Sequence, residues 1–342
     1  MRKLKNTLYI LTPDYYLGCK LDTIIMYDKE SKEVGRIPIH NLEGIVSFGY
    51  RGVSPSLMKL CATMNISIVF LDPNGSYLSR IQPPITGNVY LRELQYQKMC
   101  SMVSFDIAKN CVLGKIYNSR WLIERYIRDH PMQIDMEKMK RVSNDLLICM
   151  KKISSCTDKV FLRAIEGEAA RKYFSVFSEM ILQKNGFEFK GRSRRPPLDR
   201  VNALLSLAYT LEVSMITSSL ESVGLDPYIG AFHVERSGRP ALSLDLVEEF
   251  RPLVCDRFVL SMINKRVINK NDFKILENGA VLLTENGKKK FFSEWQKKKL
   301  EVFTHPYLKE KMEWGLAPYV QASLLAKYLR DELDAYPVIL WK

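Results

Sequence analysis

The sequence predicts an α+β fold, with a small, mostly antiparallel β-domain at the N-terminus and a larger all-α domain behind it. Three observations carry that expectation. Short apolar or β-branched runs, separated by turn residues, occupy the chain to about residue 81. A break follows at Pro83-Pro84 and Gly87. Beyond it, apolar residues recur at helical spacing over long segments. The expected organisation is a β-rich domain over 1–82, suited to dimerisation or another interaction, a linker over 83–88, and a helical domain over 89–342.

In the first domain, Leu8 to Leu11, Tyr15 to Leu17, Thr23 to Tyr27, Val34 to Ile39 and Ile45 to Phe48 read as strands. Ser54-Pro55-Ser56 opens a helix from Leu57 to Met64; a buried strand covers Ile66 to Leu71, and Asp72-Pro73-Asn74-Gly75 turns the chain. Nothing here clusters catalytic residue types, and His40 reads as structural. Helices are expected near 89–129, 134–153, 158–184, 199–223, 245–264 and 315–334. Between the last two lies a hairpin, Lys274 to Leu276 and Ala280 to Leu283, turned on Asn278-Gly279, the favoured two-residue signal. Lys288-Lys289-Lys290 and Lys297-Lys298-Lys299 flank Trp295 and read by default as a solvated basic face.

At 342 residues the chain is long enough for two domains and a sizeable core. Its 46% hydrophobic and 26% charged residues exclude a disordered chain. A formal net charge of +13 favours an anionic partner, nucleic acid before a membrane surface. The seven cysteines are odd in number and contain no C-x-x-C pair, and several lie in apolar stretches. They suit buried thiols in a reducing compartment rather than a disulfide frame or a zinc site. The apolar run near the N-terminus is too short for a signal peptide, and no stretch is expected to approach a membrane span. Together these point to a cytoplasmic protein.

Chemistry-bearing residues cluster in three places. His233 precedes the turn Ser237-Gly238-Arg239-Pro240, after which a helix beginning near Asp245 would set Asp245, Glu248 and Glu249 on one face. An imidazole facing clustered carboxylates is a ligand set for a hard or borderline divalent cation; the other reading is a capping box with Asp245 as N-cap. Glu166 falls inside the apolar stripe of its helix, between Leu162 and Ala170, so it requires a cation, either an arginine or a bound metal. Gly167 beside it suggests that something approaches the backbone closely. The third place is Gly191-Arg192-Ser193-Arg194-Arg195-Pro196-Pro197, a proline-stiffened loop whose guanidinium groups suit phosphate oxygens, ahead of a helix capped by Asp199. A ligand-free exposed basic loop is the plainer alternative.

In this order, Ile165-Glu166-Gly167 with Tyr173-Phe174, the arginine loop with Asn202, His233, and Asp245 to Pro252 resemble the CRISPR-associated Cas-one integrase-endonuclease family, closest to its type I-C branch. The resemblance spans nearly the whole chain and makes the helical domain the catalytic one. It implies a divalent-metal-dependent DNA endonuclease and integrase, which inserts short duplexes (spacers) into a CRISPR array by transesterification. It implies Glu166, His233 and Glu248 as catalytic and metal-holding residues for Mg²⁺ or Mn²⁺, although many members carry aspartate where Glu248 stands. Asp245 then supports the site, Glu249 remains open as a third ligand, and Arg192, Arg194, Arg195 and Asn202 position double-stranded DNA. The partners implied are a second copy of the chain and a small Cas-two protein, and the resemblance alone places Gln321 near the site. A non-catalytic basic DNA-binding scaffold is the competing class; it leaves the position of Glu166 unexplained.

Overall fold

The structure, a computed structural model, describes residues 4–73, 75, 77–82, 89–193 and 196–342. The linker expected at 83–88, and Arg194 and Arg195, lie outside the described residues.

The fold is α+β. Seven strands and one helix open the chain: β1 (Asn6–Ile10), β2 (Tyr16–Lys20), β3 (Thr23–Tyr27), β4 (Glu33–Pro38), β5 (Leu42–Phe48), α1 (Pro55–Thr63), β6 (Ser67–Leu71) and β7 (Tyr77–Ile81). β2, β3 and β4 make an antiparallel meander. The other sheet has the order β1-β5-β6-β7, with Ile45 of β5 level with Leu8 on one side and Ile68 on the other. The β1–β5 and β5–β6 pairs are parallel and only β7 runs antiparallel. Apolar runs do not encode strand direction. It follows here from α1, which carries the chain from β5 to β6 as a crossover that a short hairpin could not replace. Ser54 caps α1 by accepting the Leu57 amide at 3.2 Å, with Pro55 in the first turn. Ile10, Leu17, Ile24, Ile45, Leu57 and Ile68 belong to the core beneath.

The helical part follows: α2 (Val89–Met99), α3 (Met102–Asp129), α4 (Met136–Ser154), α5 (Lys159–Ser175), α6 (Arg200–Ser222), α7 (Ala241–Phe250), a π-helical turn (Arg251–Asp256) and α8 (Arg257–Asn264). The single helix expected over 89–129 is two, divided where Ser101 caps α3. Asp135, Asp158 and Asp199 cap α4, α5 and α6. α7 begins at Ala241 rather than near Asp245. Pro252 explains the π turn: its ring would collide with the carbonyl four residues back in a regular helix, and the wider turn gives it room. By length and hydropathy α6 would pass for a membrane span, contrary to the sequence expectation. It is instead a core helix, packed on α7 and, further along the chain, on the helix Ala317–Leu329.

β8 (Phe273–Ile275) and β9 (Val281–Leu283) form the expected hairpin, but with a wider loop. The Gly279 amide donates to the Leu276 carbonyl, and Gly279 takes φ +77°, a left-handed residue closing a turn rather than a two-residue connection. α9 (Glu285–Leu300), β10 (Val302–Thr304), β11 (Lys311–Glu313) and α10 (Ala317–Leu329) complete the chain.

Packing divides the protein into two compact units, and the division does not follow the sequence. Asn271–Lys274 and Leu282–Lys299 fold with the N-terminal strands, whereas the expected helical domain ran unbroken to residue 342. α9 lays Phe291, Phe292 and Trp295 inward, with Phe292 against Tyr9 and Phe48. Its lysines are not one solvated face. Lys299 is 3% exposed and bonds Glu43 at 2.8 Å and Thr7 at 2.9 Å; Lys290 bonds Asp272 at 2.7 Å; Lys288 is buried over the Phe48 ring.

Gly167 sits in the middle of α5, and among the described residues nothing outside its own helix lies within 4 Å of where a Cβ would be. The close approach that its presence suggested is therefore not made by any described residue. Gly167→Ala is predicted to stabilise the fold by about 0.5–1 kcal/mol through helix propensity, read as a higher denaturation midpoint in urea.

Candidate functional site

α7 places three carboxylates in the interior: Asp245, Glu248 and Glu249 are each at most 2% exposed. Each is satisfied differently. Asp245 accepts the backbone N–H groups of Ala231, Phe232 and His233 at 2.6, 3.0 and 2.8 Å, and faces His233 Nδ1 at 2.7 Å. It is the anchor of the preceding loop, not an N-cap, so the capping-box reading fails. The loop reaches it because residue 230 is glycine: a Cβ there would lie 2.7 Å from Ala241 Cβ and 2.9 Å from Asp245 Oδ2. A carboxylate only accepts, so in the neutral imidazole Nδ1 carries the proton and Nε2 is the free nitrogen. That nitrogen is 3.8 Å from Glu248 Oε1. From α5, Arg163 donates to the Phe232 carbonyl at 3.0 Å and steadies the same loop.

Glu248 Oε1 takes the Arg251 guanidinium at 2.9 Å, and Oε2 lies 2.7 Å from the Lys115 ammonium. The lysine contact is a close, buried ion pair. Burial works against the charge of Glu248, but Arg251, Lys115 and His233 outweigh it and pull its pKa down to about 2. Glu166, from α5, is ion-paired to the same ammonium and keeps 24% of its side chain exposed. The cation that its position demanded is thus a lysine from α3, which the sequence reading did not single out. A signal existed, because Lys115 lies on the α3 stripe of Cys111, Val112, Ile116 and Leu122, all buried, just as Glu166 interrupts the stripe of α5.

Two carboxylates from different helices, with an imidazole nitrogen 3.8 Å from one of them, make a donor set of the kind that divalent cations take. The Lys115 ammonium stands between Glu166 and Glu248, where positive charge is called for. As the side chains stand, no three His, Cys, Asp or Glu side chains among the described residues close round one point.

Glu249, open as a ligand from sequence, belongs elsewhere. Its oxygens accept from Tyr336 Oη at 2.5 Å, the Ile339 amide at 2.6 Å and Gln321 Nε2 at 3.0 Å. Burial pushes its pKa up to about 7 against the pull of those donors. Gln321, placed near the site by resemblance, is buried in this second network, where its Oε1 faces His305 Nε2 at 3.0 Å. The C-terminal segment, without a role in the sequence reading, is fixed there too: Asn118 bonds the Glu249 and Ile339 carbonyls and the Trp341 amide.

Asn202 requires a correction. It is fully buried, its Oδ1 accepting from Arg192 Nη1 and the Ser193 amide and its Nδ2 donating to the Gly191 carbonyl and Asp199. An amide with every valence used inside the protein does not meet DNA; it holds Arg192. That guanidinium also bonds Ser206 at 3.1 Å and lies over the Tyr209 ring. It shares a crevice with Lys115, Arg251, Tyr173 and Asp256. Asp256 accepts from Tyr209 at 2.6 Å and Tyr173 at 2.8 Å, and burial lifts its pKa to about 6 against those bonds and the two arginines.

The family model for the CRISPR associated protein Cas1 matches residues 8–297. A CRISPR-associated endonuclease Cas1 of Chlorobaculum tepidum is 44% identical over the full length of both chains. Among solved structures, a casposase bound to integration product superposes with a TM-score of 0.83 at 22% identity, over 97% of this chain and 92% of that one. A chain of a Cas6-RT-Cas1–Cas2 complex gives 0.83 at 20%, over 100% of this chain and 36% of the other. These two share the fold. The sequence match, running end to end and taking in Glu166, His233 and Glu248, goes further: the chain belongs to the CRISPR-associated Cas1 family.

Proposed function

We propose that this site is a divalent-metal-dependent DNA endonuclease and integrase centre, which inserts short DNA duplexes into a CRISPR array by transesterification. The observation that carries the reading is the convergence of Glu166 and Glu248, from separate helices, with His233 Nε2 turned toward Glu248 by Asp245. The curated relative's name as an endonuclease and the fold shared with a casposase on its integration product support it.

Glu166, His233 and Glu248 would hold the ion, Mg²⁺ or Mn²⁺. A divalent ion supplies Lewis-acid polarisation of a phosphodiester and neutralises charge on the attacking and leaving oxygens. The chain's own residues prepare the site. Arg251 keeps Glu248 ionised. Asp245 fixes the imidazole so that Nε2 stays available, the outer-shell role that carboxylates play toward ligating histidines. Asn202 and Ser206 hold the Arg192 guanidinium beside the crevice, where a phosphate oxygen can accept from it. Attack by a DNA 3′ hydroxyl would give integration and attack by water would give cleavage. The partners we infer are double-stranded DNA (spacer precursor and repeat), a second copy of this chain, and a small Cas2 protein, in keeping with the Cas6-RT-Cas1–Cas2 complex, one chain of which contains this fold.

Glu248 is a poor first target, because its removal strands Arg251 in the interior at a cost of about 3–5 kcal/mol. Glu166 is partly exposed and gives the cleaner test. Glu166→Ala is predicted to abolish integration and Mn²⁺-dependent cleavage while duplex binding stays near wild type; full activity in the folded variant would falsify the assignment. Chelation should silence the wild type and added Mn²⁺ restore it.

The net charge of +13 predicts duplex affinity that falls steeply with salt, by a slope of about 0.9 in log K per phosphate neutralised. With Lys288, Lys290 and Lys299 committed internally, Lys299→Ala should lower stability and leave that slope unchanged. A salt-insensitive affinity removes the basic surface from the account.

A further inference from the structure

The two carboxylates of the site meet the same ammonium. Lys115 is ion-paired to Glu166 Oε1 and stands 2.7 Å from Glu248 Oε2, with 11% of its side chain exposed. Arg251 holds the other oxygen of Glu248. Two carboxylates therefore face two cations, and these four groups are neutral together without any further ion. A divalent ion drawn between Glu166 and Glu248 would add two positive charges beside the ammonium, in a place where little water screens them.

One of the two resident cations has to give way, and their chemistry says which. Arg251 is permanently charged, lies over the Tyr209 ring and is held in the π turn directly after α7. Lys115 ends in a compact ammonium on a flexible four-carbon stem. It already lines the crevice shared with Arg192, Tyr209 and Arg251, which lies directly beside the carboxylate pair. In that crevice Asp256 is engaged by two tyrosine hydroxyls. A displaced ammonium there, beside two arginines, would find its counter-charge in a phosphate oxygen.

We propose that Lys115 is a surrogate cation, which closes the Glu166–Glu248 pair in the metal-free protein and is expelled into the adjacent crevice, onto a DNA phosphate, when a divalent ion enters. The proposal rests on the metal reading above and adds to it a competition between the ion and the protein's own side chain. It also links the two ligands: a phosphate that holds the ammonium outside favours the ion, and the ion favours the phosphate equally.

The test is a calorimetric titration of the full-length protein with Mn²⁺ alone, repeated with a short DNA duplex present, alongside thermal melts. Lys115→Met keeps the stem and removes the charge; Lys115→Gln is the second variant should the first fold poorly. Without DNA the variant is expected to bind Mn²⁺ about tenfold tighter than wild type, about 1.4 kcal/mol. Its metal-free form should melt lower, and Mn²⁺ should raise the melting temperature by more than in wild type. Duplex DNA should tighten Mn²⁺ binding to the wild type and leave the variant unmoved. Binding no tighter in either variant, with Glu166→Gln abolishing it, overturns the surrogate and leaves the metal site standing. Retention of the full DNA effect in Lys115→Met overturns the hand-over to phosphate. No Mn²⁺ binding by any form, wild type included, brings down the metal reading and this proposal with it.

Discussion

An ionised carboxylate at the centre of a helical unit is the constraint on which the site depends. Glu248 is 2% exposed yet held near pKa 2. An unpaired buried charge costs several kcal/mol, so the fold must deliver cations to it. One comes from a turn further along the same chain, Arg251, and the other from α3, Lys115. On a solvated helix a pair three residues apart contributes only about 0.2–0.5 kcal/mol; burial makes this one indispensable. The π turn at Pro252 shapes the backbone on which Arg251 sits, so a proline that interrupts the helix also bears on the electrostatics of the site.

The neighbouring acids on α7 show that position, not residue type, decides what a buried carboxylate does. Asp245, three residues before Glu248, binds three backbone amides and an imidazole, and so fixes the orientation of His233. Glu249, one residue after, meets neutral donors alone and is pushed up to about 7. One acid orients the site's histidine, one is kept charged within it, and one ties down the C-terminal segment through Tyr336, Ile339 and Gln321. Ten residues of helix thus join the candidate site to the packing of the chain's end.

Charge that looks like surface in a sequence is partly structural here. Lys288, Lys298 and Lys299 are buried, and Lys290 and Lys299 are paired to Asp272 and Glu43 within the β-rich unit. Arg192 is likewise held by internal partners, Asn202 and Ser206, which fix its guanidinium beside the crevice. A formal +13 therefore overstates the positive surface that a nucleic acid can reach.

The sequence by itself determined the order of strands before helices, the helix starts at Ser54 and Asp199, and the segments that carry Glu166, His233 and Glu248, because periodicity and capping are local properties. It flagged Glu166 because a carboxylate in an apolar stripe conflicts with its surroundings, and that conflict is visible in a single helix. Tertiary structure decided what local pattern does not encode: the parallel pairing of β1, β5 and β6, the return of α9 to the β-rich unit, and the separation of Glu249 from Glu248. It also decided that Lys115 would be the partner of both carboxylates. The physical reason is one of range. Side-chain direction and burial follow from neighbours a few residues away, whereas the identity of a counter-charge depends on which distant helix is packed alongside.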